Sequence, residues 1–338
     1  MLPKLVFVIA AAYALAVPAH AVKLGVSSDR RHFTLDGKPT FLLGISYYGG
    51  TSVSDPANLK ADLDEIAAAG FNWIRVWATW DPGPNVSVIE PDGSVREPFM
   101  SRLKNLIREC DRRRIVVDIT MTRGKSPMPS VQKEHLACAH TLARELKPFR
   151  NVYFDVGNER GVGDSRHVPL AEVGEIIGAI KAVDSDRLCT ASGVPGSSGD
   201  LLDYLQTGRC DFIAPHLGRD ADLPSQTEAT VHKFIDWMTK LGRRAPIHLQ
   251  EPFRRDYGKF QPTVKDFYTD AIGAKKGGAA GWCLHNGSSR FSPDKRPHRS
   301  FLMSESEGRL FKQLDEVERE VCKGVSREIG GTDLKVKP

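Results

Sequence analysis

Two glutamates stand where each could serve one reaction. The first closes "NVYFDVGNERG" (Asn151 to Gly161), an apolar run that ends by delivering Asn158 and Glu159 side by side. The second is Glu251 in "HLQEP", at the end of another apolar run far along the chain. Paired carboxyl groups flanking a bond are what glycoside hydrolysis needs: one protonates the leaving oxygen, the other attacks the anomeric carbon or activates water. A separation of about 5–5.5 Å goes with direct attack and retention, about 6.5–9.5 Å with inversion. Sequence alone gives no distance, so the fold must supply it.

Eight strand-like runs can do so: "FLLGIS", "NWIRVW", "IVVDIT", "VYFDV", "RLCTAS", "CDFIAPH", "APIHLQ" and "AAGWCLH", centred near 43, 75, 117, 154, 190, 214, 248 and 281. Each precedes a stretch of helical period, such as Leu170, Val173, Ile176, Ile177 and Ile180 on one face. Eight such units predict an α/β protein with a (β/α)8 TIM barrel. An open doubly wound sheet fits less well, because no nucleotide-binding glycine fingerprint follows any strand. Ahead of the first unit, "RRHFTLDGKPTFLLG" reads as a β-hairpin turning at Asp36-Gly37.

In such barrels the reacting groups gather at the C-terminal ends of the strands. The polar and aromatic residues there are Ser46, Tyr47 and Tyr48; Arg75, Trp77 and Trp80; Thr120, Thr122 and Arg123; Asn158 and Glu159; His216 and Arg219; Gln250 and Glu251; and Trp282, His285 and Asn286. Gly157 reads as the residue that lets the backbone turn so that Asn158 and Glu159 both reach the mouth.

"VGNER", "HLQEP", "IRVW" and "GWCLH", with the opening "FTLDGKPTFLLGISYYGG", resemble the clan of retaining (β/α)8 glycoside hydrolases that includes family 5, the cellulase-like enzymes. The likeness runs from about Phe33 to about Leu314. It implies Glu159 as acid/base and Glu251 as nucleophile. It implies Asn158 as the amide on the sugar 2-hydroxyl, and Arg75 as the charge that keeps the nucleophile ionised. His216 matches a histidine of the site, and Trp282 the aromatic floor under the sugar. Glu159 should be protonated at rest, so its surroundings should raise its pKa. Two departures concern the substrate more than the reaction. "DITMTRG" lacks the histidine many relatives carry after the third strand, and Gly218 stands where many have a tyrosine.

Each residue also has a plainer reading. Arg75 could be an ion-pair partner for Asp118 or Asp155, two acids inside apolar runs that read as structural. Trp77 and Trp80 could simply pack, although two indoles at one strand end suit sugar stacking. His216 alone would more often be a core histidine, and Tyr47 and His285 are substrate-binding candidates only. Arg123, Arg219, Arg254, Arg255 and Arg290 read first as a solvated rim, and more sharply as a mouth for uronates or other acidic sugars. The leading expectation is a glycoside hydrolase cleaving β-O-glycosidic bonds by double displacement. The alternatives are a transglycosylase and a catalytically impaired barrel that binds carbohydrate.

The chain ends carry separate signals. Residues 1–21 have a basic start, a short apolar run and Ala19-His20-Ala21, the form of a signal peptide, which predicts a secreted or periplasmic protein with no membrane anchor. The single catalytic domain is expected over 22–322 and a flexible polar tail over 323–338. A net charge of +5 spread along 338 residues is weak evidence for any polyanion. No nucleic-acid motif, zinc spacing or P-loop is present; the resemblance implies a carbohydrate partner, both chemical roles are filled by carboxylates so that no cofactor or metal is expected, and a monomer is expected. The six cysteines are scattered rather than framework-spaced. Cys189 and Cys283 read as small hydrophobes, and one disulfide among the rest remains open.

Overall fold

A computed structural model describes residues 21–79, 87–125, 127–252, 260–287, 299–300, 303 and 308–330. The chain begins with β1 (Leu24–Val26), β2 (Phe33–Leu35) and β3 (Lys38–Thr40). The alternation that follows is β4 (Leu42–Ser46), α1 (Pro56–Ala68), β5 (Trp73–Trp77), α2 (Phe99–Arg112), β6 (Val116–Thr120) and α3 (Gln132–Leu146). It continues with β7 (Val152–Asp155), α4 (Leu170–Val183), β8 (Cys189–Thr190), α5 (Ser198–Gln206), α6 (Leu223–Lys240), β9 (His248–Leu249) and α7 (Val264–Lys276). Last come β10 (Gly281–Leu284), α8 (Leu310–Gln313) and α9 (Glu316–Gly330).

The hairpin forms as the sequence predicts. Leu35 pairs with Lys38, and Asp36 and Gly37 both take positive φ, 53° and 79°, the signature of a two-residue turn that matches strand twist. β1 adds a third antiparallel strand that the sequence reading did not include.

Seven parallel strands run in the order β8-β7-β6-β5-β4-β10-β9. The expected sixth run, near residue 214, is an extended segment rather than a strand. It closes the barrel through isolated bridges, Ile213 to Ile247 and His216 to Glu251, on the β9 side. On the β8 side the Asp211 amide donates to Cys189 O and the Gly193 amide to Ala214 O. Pro215 and Pro246 have no N–H to contribute, which thins the ladder there.

Strand alternation then sorts the side chains. One set faces the barrel axis: Leu42, Trp73, Val116, Tyr153, Phe212 and Cys283, plugged from below by Val22, Leu24, Phe33 and Leu35 of the hairpin sheet. The other set, including Ile45, Ile74, Val76, Val117, Ile119, Phe154 and Trp282, packs under the helices. Gly44 is required where the Trp73 indole crosses it, since a Cβ there would lie 2.2 Å from the ring.

One expectation changes at this level. The chain does not loosen at residue 323. Helix α9 continues to Gly330 because Val321, Val325 and Ile329 recur at helical spacing and are buried, with α7 beside them; residues 331–338 lie outside the described residues, as do residues 1–20 of the leader. All six cysteines are buried and unpaired, and burial pushes the Cys138 and Cys210 thiols up to about 12. No helix among the described residues is long and apolar enough to cross a membrane.

Candidate functional site

Arg75 is the hub of the mouth. As the third residue of β5 it points along the barrel axis, fully buried. Its Nε donates to Thr120 Oγ1 at 2.9 Å and its Nη1 to Glu251 Oε1 at 2.6 Å. Its Nη2 donates to Asp155 Oδ2 at 2.7 Å and to Asn158 Oδ1 at 3.0 Å. Both readings of Arg75 therefore hold at once: it pairs with structural acids and with the candidate nucleophile. Asp118, 3.3 Å from Arg75 Nε, also accepts from Tyr153 and Gln250, and burial pushes its carboxyl up to about 8 against the pull of Arg75.

Glu251 is gripped on both oxygens. Oε1 accepts from Arg75 and, at 3.1 Å, from the Tyr48 hydroxyl. Oε2 accepts from Arg219 Nη2 at 3.0 Å and lies 3.6 Å from His216 Nδ1 and 3.8 Å from His285 Nδ1. Burial alone would raise its pKa, but His216, His285, Arg75 and Arg219 outweigh it and hold the carboxyl well below the usual range. Such a group stays an anion at neutral pH, as attack on an anomeric carbon requires.

Glu159 sits across from it. Oxygens of the two carboxylates and a ring nitrogen of His216 all lie within 4.8 Å of one another. The turn that presents Glu159 is not made by Gly157, whose φ is ordinary. Glu159 itself takes the left-handed conformation, at φ 48°. A non-glycine residue there costs on the order of 1 kcal/mol or more. The neighbouring strands pin it in place: the Glu159 amide donates to Ser192 Oγ, the Arg160 amide to Ser192 O, and the Asn158 amide to Met121 O.

The expected protonation of Glu159 is reversed in this state. His216, with Nδ1 3.6 Å from Oε1, pulls its pKa down most strongly, and Arg166 adds to the pull by donating to Oε2 at 2.6 Å. Burial and the Glu251 charge push the other way and lose. Arg166 lies in the loop between β7 and α4, outside any strand end, so strand-end reasoning passed over it. Tyr48 stands among the strand-end residues without a role that its type alone assigns. Period-two alternation is the signal that finds it, because Tyr48 shares the inward face with Ser46.

The same alternation removes two expected substrate contacts. Tyr47 turns outward, and its hydroxyl donates to Asp62 of α1 at 2.9 Å. Trp282 also turns outward, fully buried, and its indole N–H donates to Asp270 of α7 at 2.5 Å, so it is no floor for a sugar. His285, three residues later, faces inward beside Tyr48, with ring centroids 5.8 Å apart. Trp77 does reach the mouth, but it is 2% exposed and edge-on to Tyr48, so it backs the tyrosine and Arg75 more than it offers an open face. Arg123 is turned away onto His135 and Glu172. Trp80, Arg254, Arg255 and Arg290 lie outside the described residues.

The Trp282 assignment has a direct check. Trp282→Phe should cost about 1–3 kcal/mol of stability, because the buried Asp270 carboxyl loses a donor, and should leave KM nearly unchanged. A large rise in KM with unchanged melting would return Trp282 to the sugar site.

A cavity of about 400 Å³ opens beside Glu159 and His216, lined among others by Arg160, Val162, Gly193 and Tyr204. Glu159, His216 and Glu251 could offer three ligand atoms to a cation. Three guanidinium groups already hold these carboxylates, and a metal would have to displace them.

Comparison with known proteins agrees with this architecture. Residues 27–273 match Cellulase (glycosyl hydrolase family 5). A family 5 mannosidase variant from Rhizomucor miehei is similar in structure, with a TM-score of 0.65 at 15% identity, covering 91% of this chain and 98% of that one. A GH5_18 protein from Streptomyces cattleya in complex with GlcNAc gives 0.61 at 16% identity, covering 87% and 81%. The β-mannanase of the blue mussel Mytilus edulis gives 0.58 at 14% identity, covering 93% and 98%. At these identities the solved structures speak for the fold alone. No curated protein matches the chain. The family match spans most of the chain, and the barrel is the fold its solved neighbours share: the chain belongs to glycosyl hydrolase family 5, and it is a glycoside hydrolase.

Proposed function

We propose that this enzyme cleaves a β-glycosidic bond of an oligo- or polysaccharide with retention, by double displacement, and that the leader of residues 1–21 exports it. The observation that carries the reading is the approach of the Glu159 and Glu251 carboxylates, with oxygens within 4.8 Å of each other. That approach is on the side of the roughly 5–5.5 Å of retaining enzymes rather than the roughly 6.5–9.5 Å of inverting ones.

In the first step Glu251 attacks the anomeric carbon while Glu159 gives its proton to the departing oxygen. The products are a glycosyl ester on Glu251 and the freed alcohol. Asn158 spends its carbonyl oxygen on Arg75, which leaves its amide NH2 to donate to the sugar 2-hydroxyl. Once Glu251 is esterified its charge is gone, and the repulsion that raised Glu159 goes with it. Glu159 then holds a proton less tightly and can take one from water in the second step. Tyr48 and Arg219 hold different oxygens of Glu251, and Tyr48 supplies a hydroxyl donor from just after β4 rather than from position 218.

The test is hydrolysis of β-glycans and aryl β-glycosides, with the first-formed anomer followed by proton NMR. The β-anomer should appear first. Glu159→Gln should lose about 10²- to 10⁴-fold in kcat on glycans, whose alkoxide leaving groups need a proton. It should lose far less on aryl glycosides with acidic phenols. Initial release of the α-anomer, or a Glu159→Gln variant as fast as wild type on glycans, would refute the mechanism.

A further inference from the structure

Arg166 is a part of the site that double displacement does not use. Its Nη1 donates to Glu159 Oε2 at 2.6 Å, and its Nε and Nη2 reach Asp164. Arg75 is fully buried, whereas the Arg166 side chain is 31% exposed, beside a Glu159 side chain that is 27% exposed. Both side chains of the pair are thus partly open to solvent, and Glu159 lines the cavity beside His216. Behind it Arg219 sits on the outer oxygen of Glu251. Each glutamate has an arginine on it.

This arrangement opposes the first chemical step. To act as an acid Glu159 must take up a proton, and Arg166 then loses an anion it holds in a charge-assisted hydrogen bond. Sugar hydroxyls are poor replacements for a carboxylate opposite a guanidinium N–H, since a charge-assisted hydrogen bond is roughly twice as strong as a neutral one. Asp164 alone remains, itself more than half exposed. A substrate that brought its own carboxylate would restore the pairing and leave Glu159 free to bind a proton from solvent. The charge count is then unchanged: Arg166 keeps one anion from the site, and Glu159 becomes neutral.

Resting on the glycosidase reading above, we propose that the substrate is an acidic glycan with a uronate at the scissile linkage, and that Arg166 releases Glu159 by taking the uronate carboxylate in its place. Arg166 is here a specificity and positioning residue. Arg160, on the wall of the cavity beside Glu159, adds a second cation along the path, with Asp200 the one further acid on that wall.

The experiment compares β-linked, uronate-containing glycans with the same glycans after chemical reduction of their carboxyls to primary alcohols, alongside neutral β-glucan and β-mannan. Wild type should cleave the uronate form with kcat/KM about tenfold or more above its reduced counterpart, since a site built for a charged group discriminates against its loss. Arg166→Gln should bring the two close to equality by slowing the uronate form, and Arg166→Lys should recover part of the preference. Thermal melting of each variant checks that the fold is intact. Equal or faster cleavage of the reduced form by wild type overturns the proposal, as does a preference that survives in Arg166→Gln. Cleavage of neutral glycans with none of the acidic ones sinks the uronate assignment alone. Cleavage of no glycan of either kind sinks the glycosidase reading beneath it.

Discussion

Glu251→Gln should abolish turnover, with kcat falling on the order of 10⁴-fold or more, the scale of removing one member of a catalytic unit. Two losses combine. The attacking oxygen is gone, and so is the charge that pushes Glu159 towards its protonated form. The variant should still fold, since the amide oxygen can accept from Arg75 and Tyr48 as the carboxylate does. A second variant separates nucleophile from scaffold. Glu251→Ala supplied with azide should form the α-glycosyl azide from a β-glycoside: the azide nitrogen bonds to the anomeric carbon from the vacated face as the leaving group departs with the Glu159 proton. Formation of the β-azide, or wild-type turnover by Glu251→Gln, would place the nucleophile elsewhere.

Stability should follow the same charge. The folded state holds Glu251 well below its ordinary value of 4.5, so its ionisation stabilises the protein above that pH. The contribution fades as pH falls through the lowered folded value. Wild type should therefore be more stable than Glu251→Gln at pH 7, and the gap should close on acidification. A gap that widened towards acid would contradict the ion pairing of Glu251 with Arg75 and Arg219.

How much of this was legible in the sequence depended on which rule each residue obeys. The repeat of strand and helix was readable because apolar period switches from two to about three and a half at each unit. Glu159, Glu251, Arg75, Asn158 and His216 are legible because they lie in or just after strand-like runs, and the fold brings them together at one mouth. Tyr47 and Trp282 were misplaced for want of one bit of information, the phase of alternation. That phase could have been set from Arg75: inward Arg75 makes Trp73 and Trp77 inward, and their neighbours Ile74 and Val76 outward. Counted likewise on β10, Cys283 and His285 face in and Trp282 faces out. Arg166 was beyond such reasoning, because a loop residue is placed by tertiary contacts and carries no period. The thin sixth strand was legible in part, since prolines at 215 and 246 mark missing donors.

Arg75→Met should be the most destabilising single change in the mouth. It removes a cation that touches Asp155, Asp118 and Glu251 together, all buried. Breaking a buried pair from one side costs about 3–5 kcal/mol, because the abandoned charges cannot reach water. Denaturant midpoints at constant m-value would measure it. The pH dependence then decides between charge and packing. Without Arg75 the Asp118 and Glu251 carboxyls bind protons more tightly in the folded state, and Asp118 is already raised to about 8 by burial. Raised folded values mean stability that is present in acid and lost as pH rises. The deficit of Arg75→Met should thus be small near pH 4 and grow towards pH 8. A deficit that stayed constant would mean that Arg75 matters for its volume alone. Arg75→Lys should rescue little, since one ammonium cannot serve Thr120, Asp155, Asn158 and Glu251 together as the guanidinium fork does. A lysine variant with wild-type stability and turnover would reduce Arg75 to a point charge, and the geometry argued for the nucleophile would lose its anchor.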